Sequence, residues 1–364
     1  MLAWLLAIVP LAGQFNRVRP QRINDGKSVE NFRGSWRVLE PVTRRNLSVY
    51  PVVSNLKVDT SDFLTLDEGL AAGVVRIAER GQVENAIYRR RDSRRWPPIT
   101  EERPQFDGAR VNELVLVNES SRPLILLAGE VVSGGKQNRI IGADLVVPPK
   151  SDPLPLSVFC VEHGRWSAGS GGFGSAGAMA HPAIRKEAQV SKSQAGVWES
   201  VARSEALLEA SSPTSSYTDV LNSPRAKRDL DEIASSIEDE YERELRAKVG
   251  CSGAVGVVVA IGGQLVWSDV FPSADLFRKY WPKLLRSYVL EAEGRPRGIK
   301  DAASSKAAEA FLLEDRGRVS VREEPGTYRR TEISADTYQI VALEALGKFA
   351  DSGLLMHYNK MARD

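Results

Sequence analysis

The sequence predicts an α+β fold: a mainly antiparallel central sheet, amphipathic helices packed on it, and a β-rich C-terminal section. Three observations carry this. Val111–Val117, Leu124–Val132, Ile140–Val147 and Leu154–Val161 are β-type runs separated by short gaps. After Ser223-Pro224, apolar residues recur every three or four positions for some 25 residues, the spacing of one helix face. The last third alternates again as strands, so helices and strands come in blocks rather than in regular βαβ units.

Taken in order, Met1–Gly13 looks like a short signal-peptide apolar region, too short to span a bilayer. No Lys or Arg precedes it, Arg17, Arg19 and Arg22 follow it, and Ala12-Gly13 is a weak cleavage site. If it is a signal, the product is periplasmic or extracellular; otherwise the chain is cytoplasmic. Residues 14–44 are polar and read as a leader or linker, and a single domain is expected over 45–358. Asn46–Val53 is the first strand. Thr65-Leu-Asp-Glu68 is a capping box that opens a short helix ending near Gly73, and Val74–Ala78 resumes as a strand. The basic run Tyr88–Trp96, ended by Pro97-Pro98, reads as a solvated loop. Ser167–Ala180 is rich in Gly, Ser and Ala and is expected as a mobile loop, either a lid or a connector. Gln194–Ala210 is helical. Ser223 caps the long helix bearing Leu230, Ile233, Ile237, Tyr241, Leu245 and Val249, which Gly250 closes. Ala254–Ile261 and Gln264–Trp267 make a hairpin about Gly262-Gly263. Ser273–Tyr280 and Pro282–Glu293 are two helices, because proline starts helices more readily than it continues them. Arg318–Val321, Thr327–Ile333, Tyr338–Leu343 and Leu354–Tyr358 complete the strands.

The chain of 364 residues is 42% hydrophobic and 26% charged, with a net charge of +2. That balance suits a globular protein and gives no reason to expect a nucleic-acid partner. No integral membrane segment is expected in the mature chain. Two cysteines exclude a disulfide framework, and whether Cys160 and Cys251 pair stays open. The three histidines are far apart in sequence and no Cys-x-x-Cys occurs, so no metal site is expected. Nothing identifies a cofactor, and the oligomeric state is not written in the sequence.

Two stretches set charged, amide or thiol groups against apolar strand sequence, where they need partners or a ligand. The first runs from Glu130 through Gly134-Gly135 to Lys136, Gln137, Asn138 and Arg139. Glu130 is expected half-buried, with Arg139 as a structural partner or a ligand in its place. In the functional reading, the glycines let backbone amides approach an anion, Lys136 and Arg139 supply charge, and Gln137 and Asn138 hydrogen-bond it. The loop lacks the spacing of a Walker A motif. The second stretch is Cys160-Val-Glu162-His163-Gly-Arg165-Trp166. Cys160 is a candidate nucleophile or a plain core residue. Glu130 and Glu162 are candidate acid/base groups, His163 and Arg165 are polar ligands, and Trp166 could stack on a planar group.

These stretches, with Trp281-Pro-Lys-Leu-Leu-Arg-Ser-Tyr288, resemble the bacterial ARG and rhodanese-phosphatase-superfamily-associated protein domain family, formerly a domain of unknown function. Ala128, Val131 and His163 stand where that family usually has Asp, an acidic residue and Gln. By association, the resemblance implies a role in processing or sensing ADP-ribose or other NAD-derived nucleotides. Three readings follow. One is a binder or sensor of an anionic or phosphorylated small molecule. A second is a structural protein whose polar motifs form an internal network. A third is a hydrolase or transferase on ADP-ribose-type substrates with a Glu acid/base.

Overall fold

The computed structural model describes residues 29–79, 113–164, 172–210, 212–249, 253–295, 302–347 and 353–363. The possible signal peptide, the basic run Tyr88–Trp96, Arg165, Trp166, Gly250 and Cys251 lie outside them. The chain opens with α1 (Val29–Ser35), β1 (Trp36–Val38), β2 (Val42–Arg44) and β3 (Leu47–Ser54). Next come β4 (Leu64–Thr65), α2 (Leu66–Ala71), β5 (Val75–Glu79), β6 (Glu113–Asn118) and β7 (Leu124–Leu126). Then follow β8 (Glu130–Gly134), β9 (Arg139–Ile141), β10 (Leu145–Val147), β11 (Leu154–Cys160) and β12 (Gly172–Met179). The helical part is α3 (Pro182–Lys186) continuing into a π-turn at Glu187–Ser191, α4 (Gln194–Leu207), α5 (Tyr217–Asn222) and α6 (Pro224–Val249). After the hairpin β13 (Gly256–Ile261) and β14 (Gln264–Val270) come α7 (Ala274–Glu293) and α8 (Ser305–Leu313). Strands β15 (Arg318–Glu324), β16 (Tyr328–Ser334), β17 (Tyr338–Ala345) and β18 (Leu354–Ala362) end the chain.

The α+β class holds, and its sheet is built differently from the expectation. The largest sheet has nine strands in the order β1-β3-β13-β14-β18-β17-β16-β15, with β2 on β3. It joins the N-terminal strands to the hairpin and the C-terminal strands. The segments expected at its centre instead form a closed antiparallel barrel, β11-β6-β5-β12-β8-β9, and a small sheet, β10-β7-β4. Closure leaves the barrel without free edges. Helix α7 lies between the two bodies, touching β12 on one side and β3 and β13 on the other, with α6 against it.

Five local expectations are not met. Leu124–Val132 is two strands. Gly129 takes φ +94 at the break, and the backbone of Ala128 is held by side chains, Asp144 accepting from its N–H and Arg185 donating to its carbonyl. Ile140–Val147 also splits, as β9 and β10. The Gly/Ser stretch is a barrel strand from Gly172 on, since ladder bonds to β5 and β8 need only backbone. Pro282 sits inside one continuous helix, α7. Packing on several sides outweighs the roughly 3 kcal/mol that an interior proline costs. The span read as leader is structured from Val29, and Trp36 is fully buried.

Other readings hold. Thr65 accepts from the Glu68 backbone and Glu68 reaches back to Thr65, the complete capping box. Gly262 and Gly263, at φ +58 and +79, turn the hairpin. Leu230, Ile233, Ile237, Tyr241 and Leu245 are buried along α6, and Tyr241 stacks on Trp281 at 4.7 Å. Among the described residues, no helix is long and apolar enough to cross a membrane.

Candidate functional site

Side chains alternate across a strand, so each barrel strand sends every second residue into the lumen. Val75, Ile77, Leu114, Leu116, Val132, Ile141, Leu156 and Val158 fill it as one apolar cluster. The same alternation carries Glu79, Arg139 and Cys160 to the next layer, at the end where β5 and β11 finish and β9 begins. Arg139 and Cys160 are direct partners across β9 and β11. All three are buried. Burial pushes the Cys160 thiol up; Arg139 opposes that and Glu79 adds to it. The thiol is therefore held neutral, the reverse of an activated nucleophile. Gln194 braces its backbone, accepting from the amide at 2.9 Å and donating to the carbonyl at 2.8 Å.

The Gly134–Asn138 turn closes over this end. A Cβ on Gly134 would stand 2.4 Å from the Gly172 carbonyl oxygen, and one on Gly135 2.4 Å from the Phe173 ring. Both glycines have positive φ. Only glycine lets the turn lie this close to β12. The turn is no open anion nest, because the Gly134 amide donates to Asn138 Oδ1 at 3.2 Å. The Lys136 amide donates to Glu79 Oε1 at 3.3 Å. Asn138 also donates from Nδ2 to Thr218 Oγ1 at 2.9 Å. Glu162 accepts from the Asn138 amide at 3.1 Å and from Thr214 Oγ1 at 3.0 Å. Gln137 differs from these neighbours: it is 4% exposed and its Oε1 has no hydrogen-bond partner among the described residues. The side chain of Lys136 is half-buried beside it. His163 is exposed and meets Trp198 edge-on at 4.6 Å.

Glu130 is at the far end of β8 from this turn, which corrects its expected pairing with Arg139. Arg139 stands opposite Val132, up the ladder. The partner of Glu130 is Lys283 of α7, whose Nζ lies 2.6 Å from Oε1 and 2.8 Å from Asp67 Oδ2. Oε2 accepts from the Leu127 amide at 2.8 Å. Burial raises the Glu130 carboxyl against the pull of Lys283. Both oxygens of Glu130, like both of Glu162, are thus committed to protein donors. The structure brings Lys136, Gln137, Asn138, Arg139, Cys160 and Glu162 to one barrel end and leaves Glu130 at the other.

A second polar centre had no motif. Asp269, fully buried on β14, accepts from both terminal guanidinium nitrogens of Arg185 at 2.9 Å. It also accepts from Trp267 and Asn359, both at 2.9 Å, and from the Tyr288 hydroxyl. His357 bridges Asp269 and Asp144, at 2.9 and 2.6 Å. Its members come from five separate segments, so no local spacing could announce it. Among the described residues, no cluster of three or more His, Cys, Asp or Glu could hold a metal ion.

A closed barrel, a large antiparallel sheet and a shared central helix, with a polar barrel end, define an α+β domain protein of one architecture. The chain belongs to the ARG and Rhodanese-Phosphatase-superfamily-associated Protein domain family, whose model matches residues 35–359. No curated protein matches it, and no solved structure does.

Proposed function

We propose that the barrel end bearing Lys136 and Gln137 binds a small anionic or phosphorylated molecule that also carries hydroxyl or amino groups, and that the protein acts as its binder or sensor. The observation that carries this reading is Gln137 Oε1, which has no hydrogen-bond partner among the described residues, in a turn whose Gly134, Lys136 and Asn138 amides all have protein acceptors. A buried amide oxygen without a donor costs about 1–3 kcal/mol. A ligand hydroxyl or amine would remove that cost, and the Lys136 ammonium would meet the charge. ADP-ribose and NAD-derived nucleotides combine phosphates with sugar hydroxyls and fit both demands. Glu130 and Glu162 then act as internal braces rather than acid/base groups. The competing reading, a purely internal polar network, is favoured by the saturation of those two carboxylates.

Thermal shift of the protein with ADP-ribose, NAD, nucleotides and inorganic phosphate separates the readings. A ligand at a hundred times its dissociation constant adds about 2.7 kcal/mol. The expected result is stabilisation by one compound, lost in both Gln137→Leu and Lys136→Ala, with ligand-free Gln137→Leu no less stable than wild type. No shift with any compound, or an equal shift in both variants, would sink the binding reading.

A further inference from the structure

Away from the barrel end, a cleft of about 250 Å³ opens between α3, α4 and α7, lined by residues that include His181, Arg203, Ser204, Leu207, Glu291 and Arg295. His181 precedes α3, Ser204 lies in the last turn of α4 and Glu291 in the last turn of α7. Three facts about them align. His181 Nε2 is 2.8 Å from Ser204 Oγ. His181 Nδ1 is 2.6 Å from Glu291 Oε2. The carboxylate is itself fixed, Oε2 accepting from the Ala183 amide at 2.9 Å and Oε1 from two Arg295 nitrogens at 3.0 and 2.9 Å.

The tautomer follows from the carboxylate. Burial raises the Glu291 carboxyl, but the bonds from His181, Arg295 and the Ala183 amide bring it down to about 2. An ionised carboxylate only accepts, so Nδ1 carries the proton. In its neutral form the ring turns the lone pair of Nε2 to the serine hydroxyl. The Ser200 carbonyl, 2.9 Å from the same Oγ, is the other acceptor in reach of the hydroxyl proton. A nucleophile, a base within hydrogen-bond reach and a third group orienting the base are the parts of a hydrolytic triad, and such triads are recognised by geometry rather than by position in sequence.

We propose that Ser204, His181 and Glu291 form a hydrolytic triad opening on this cleft, with short-chain carboxylic esters as the substrate class. Ser204 Oγ attacks the ester carbonyl carbon while its proton passes to His181 Nε2. The bond to the alcohol oxygen breaks, and the departing alkoxide takes that proton. Water then repeats the relay on the acyl-serine, releasing the acid and restoring the hydroxyl. Arg203 and Arg295 also line the cleft, each holding a carboxylate, Glu199 and Glu291 respectively. Leu207, Leu208 and Leu290 supply an apolar wall, and the volume suits a short acyl group. Ser204 and His181 are the catalytic residues; Glu291 is a positioning residue.

The test is exposure of the full chain to a fluorophosphonate, with peptide mass spectrometry, beside p-nitrophenyl acetate turnover. The expected result is one phosphonyl adduct, on Ser204, and turnover that falls at least a hundredfold in Ser204→Ala and His181→Gln. Glu291→Gln should still be labelled on Ser204, at least tenfold more slowly, which loss of packing alone would not produce in a protein of unchanged melting temperature. An unlabelled Ser204 in folded wild type overturns the proposal. So does wild-type turnover in Ser204→Ala, or labelling without any ester turnover.

Discussion

His357 Nε2 donates to Asp269 Oδ1 at 2.9 Å, and both side chains are fully shielded from solvent. Burial pulls the imidazole down, but Asp144 and Asp269 outweigh it and lift its pKa from 6.5 to about 9. A raised histidine stabilises the fold fully below its unfolded value, and that contribution drains away as pH rises through the folded value. Stability from His357 should therefore be complete below about pH 6.5 and fall by roughly 3 kcal/mol by about pH 9. Lys360 works oppositely: burial lowers it to about 8, so its contribution grows above that pH. Urea unfolding of wild type and His357→Gln across pH 6–10 isolates the histidine. A pH-independent difference between the two would contradict the assignment.

Lys283→Met should destabilise by about 3–5 kcal/mol, because it leaves Glu130 buried without a cation. Adding Glu130→Gln should recover a large part of that loss. Additive losses in the double-mutant cycle would mean the two groups do not depend on each other.

Gly134→Ala should cost at least about 1–3 kcal/mol, from positive φ and the approach to the Gly172 carbonyl. Stability equal to wild type would show that β8 and β12 do not close the barrel there.

Cys160 should resist alkylation by iodoacetamide in the folded protein and react on unfolding, because its thiol is buried and its pKa raised. Peptide-level mass spectrometry reads it separately from Cys251. Rapid modification of native Cys160 would revive the nucleophile reading.

Local rules were legible in the sequence and closure was not. The Thr65–Glu68 cap, the Gly262-Gly263 turn and the α6 stripe are decided by residues within a few positions of one another. The Gly134-Gly135 turn was visible in the sequence, but the open nest expected there is not formed, since the Gly134 and Lys136 amides have protein acceptors. The partner of Glu130 was out of reach of such rules, since Lys283 is 153 residues away. Glycine-rich composition at 172–179 spoke for a loop, because the barrel ladder that holds it is made by distant backbone. Pro282 carried a helix-start signal that packing of α7 overrode. His181, Ser204 and Glu291 were individually unremarkable, and only the meeting of three helices gives them a joint chemistry.

The sheet order places β18 between β14 and β17, so an interior strand of the largest sheet is supplied by a segment synthesised well after β14. While the chain is emerging, β14 has an unpaired edge, and Asp269 has neither His357 nor Asn359 beside it. Residues 354–362 must emerge before that edge is sealed and the His357 and Asn359 bonds to Asp269 form. A nascent chain that stops short of Leu354 therefore carries an open β14 edge and an Asp269 held by Arg185 but lacking His357 and Asn359.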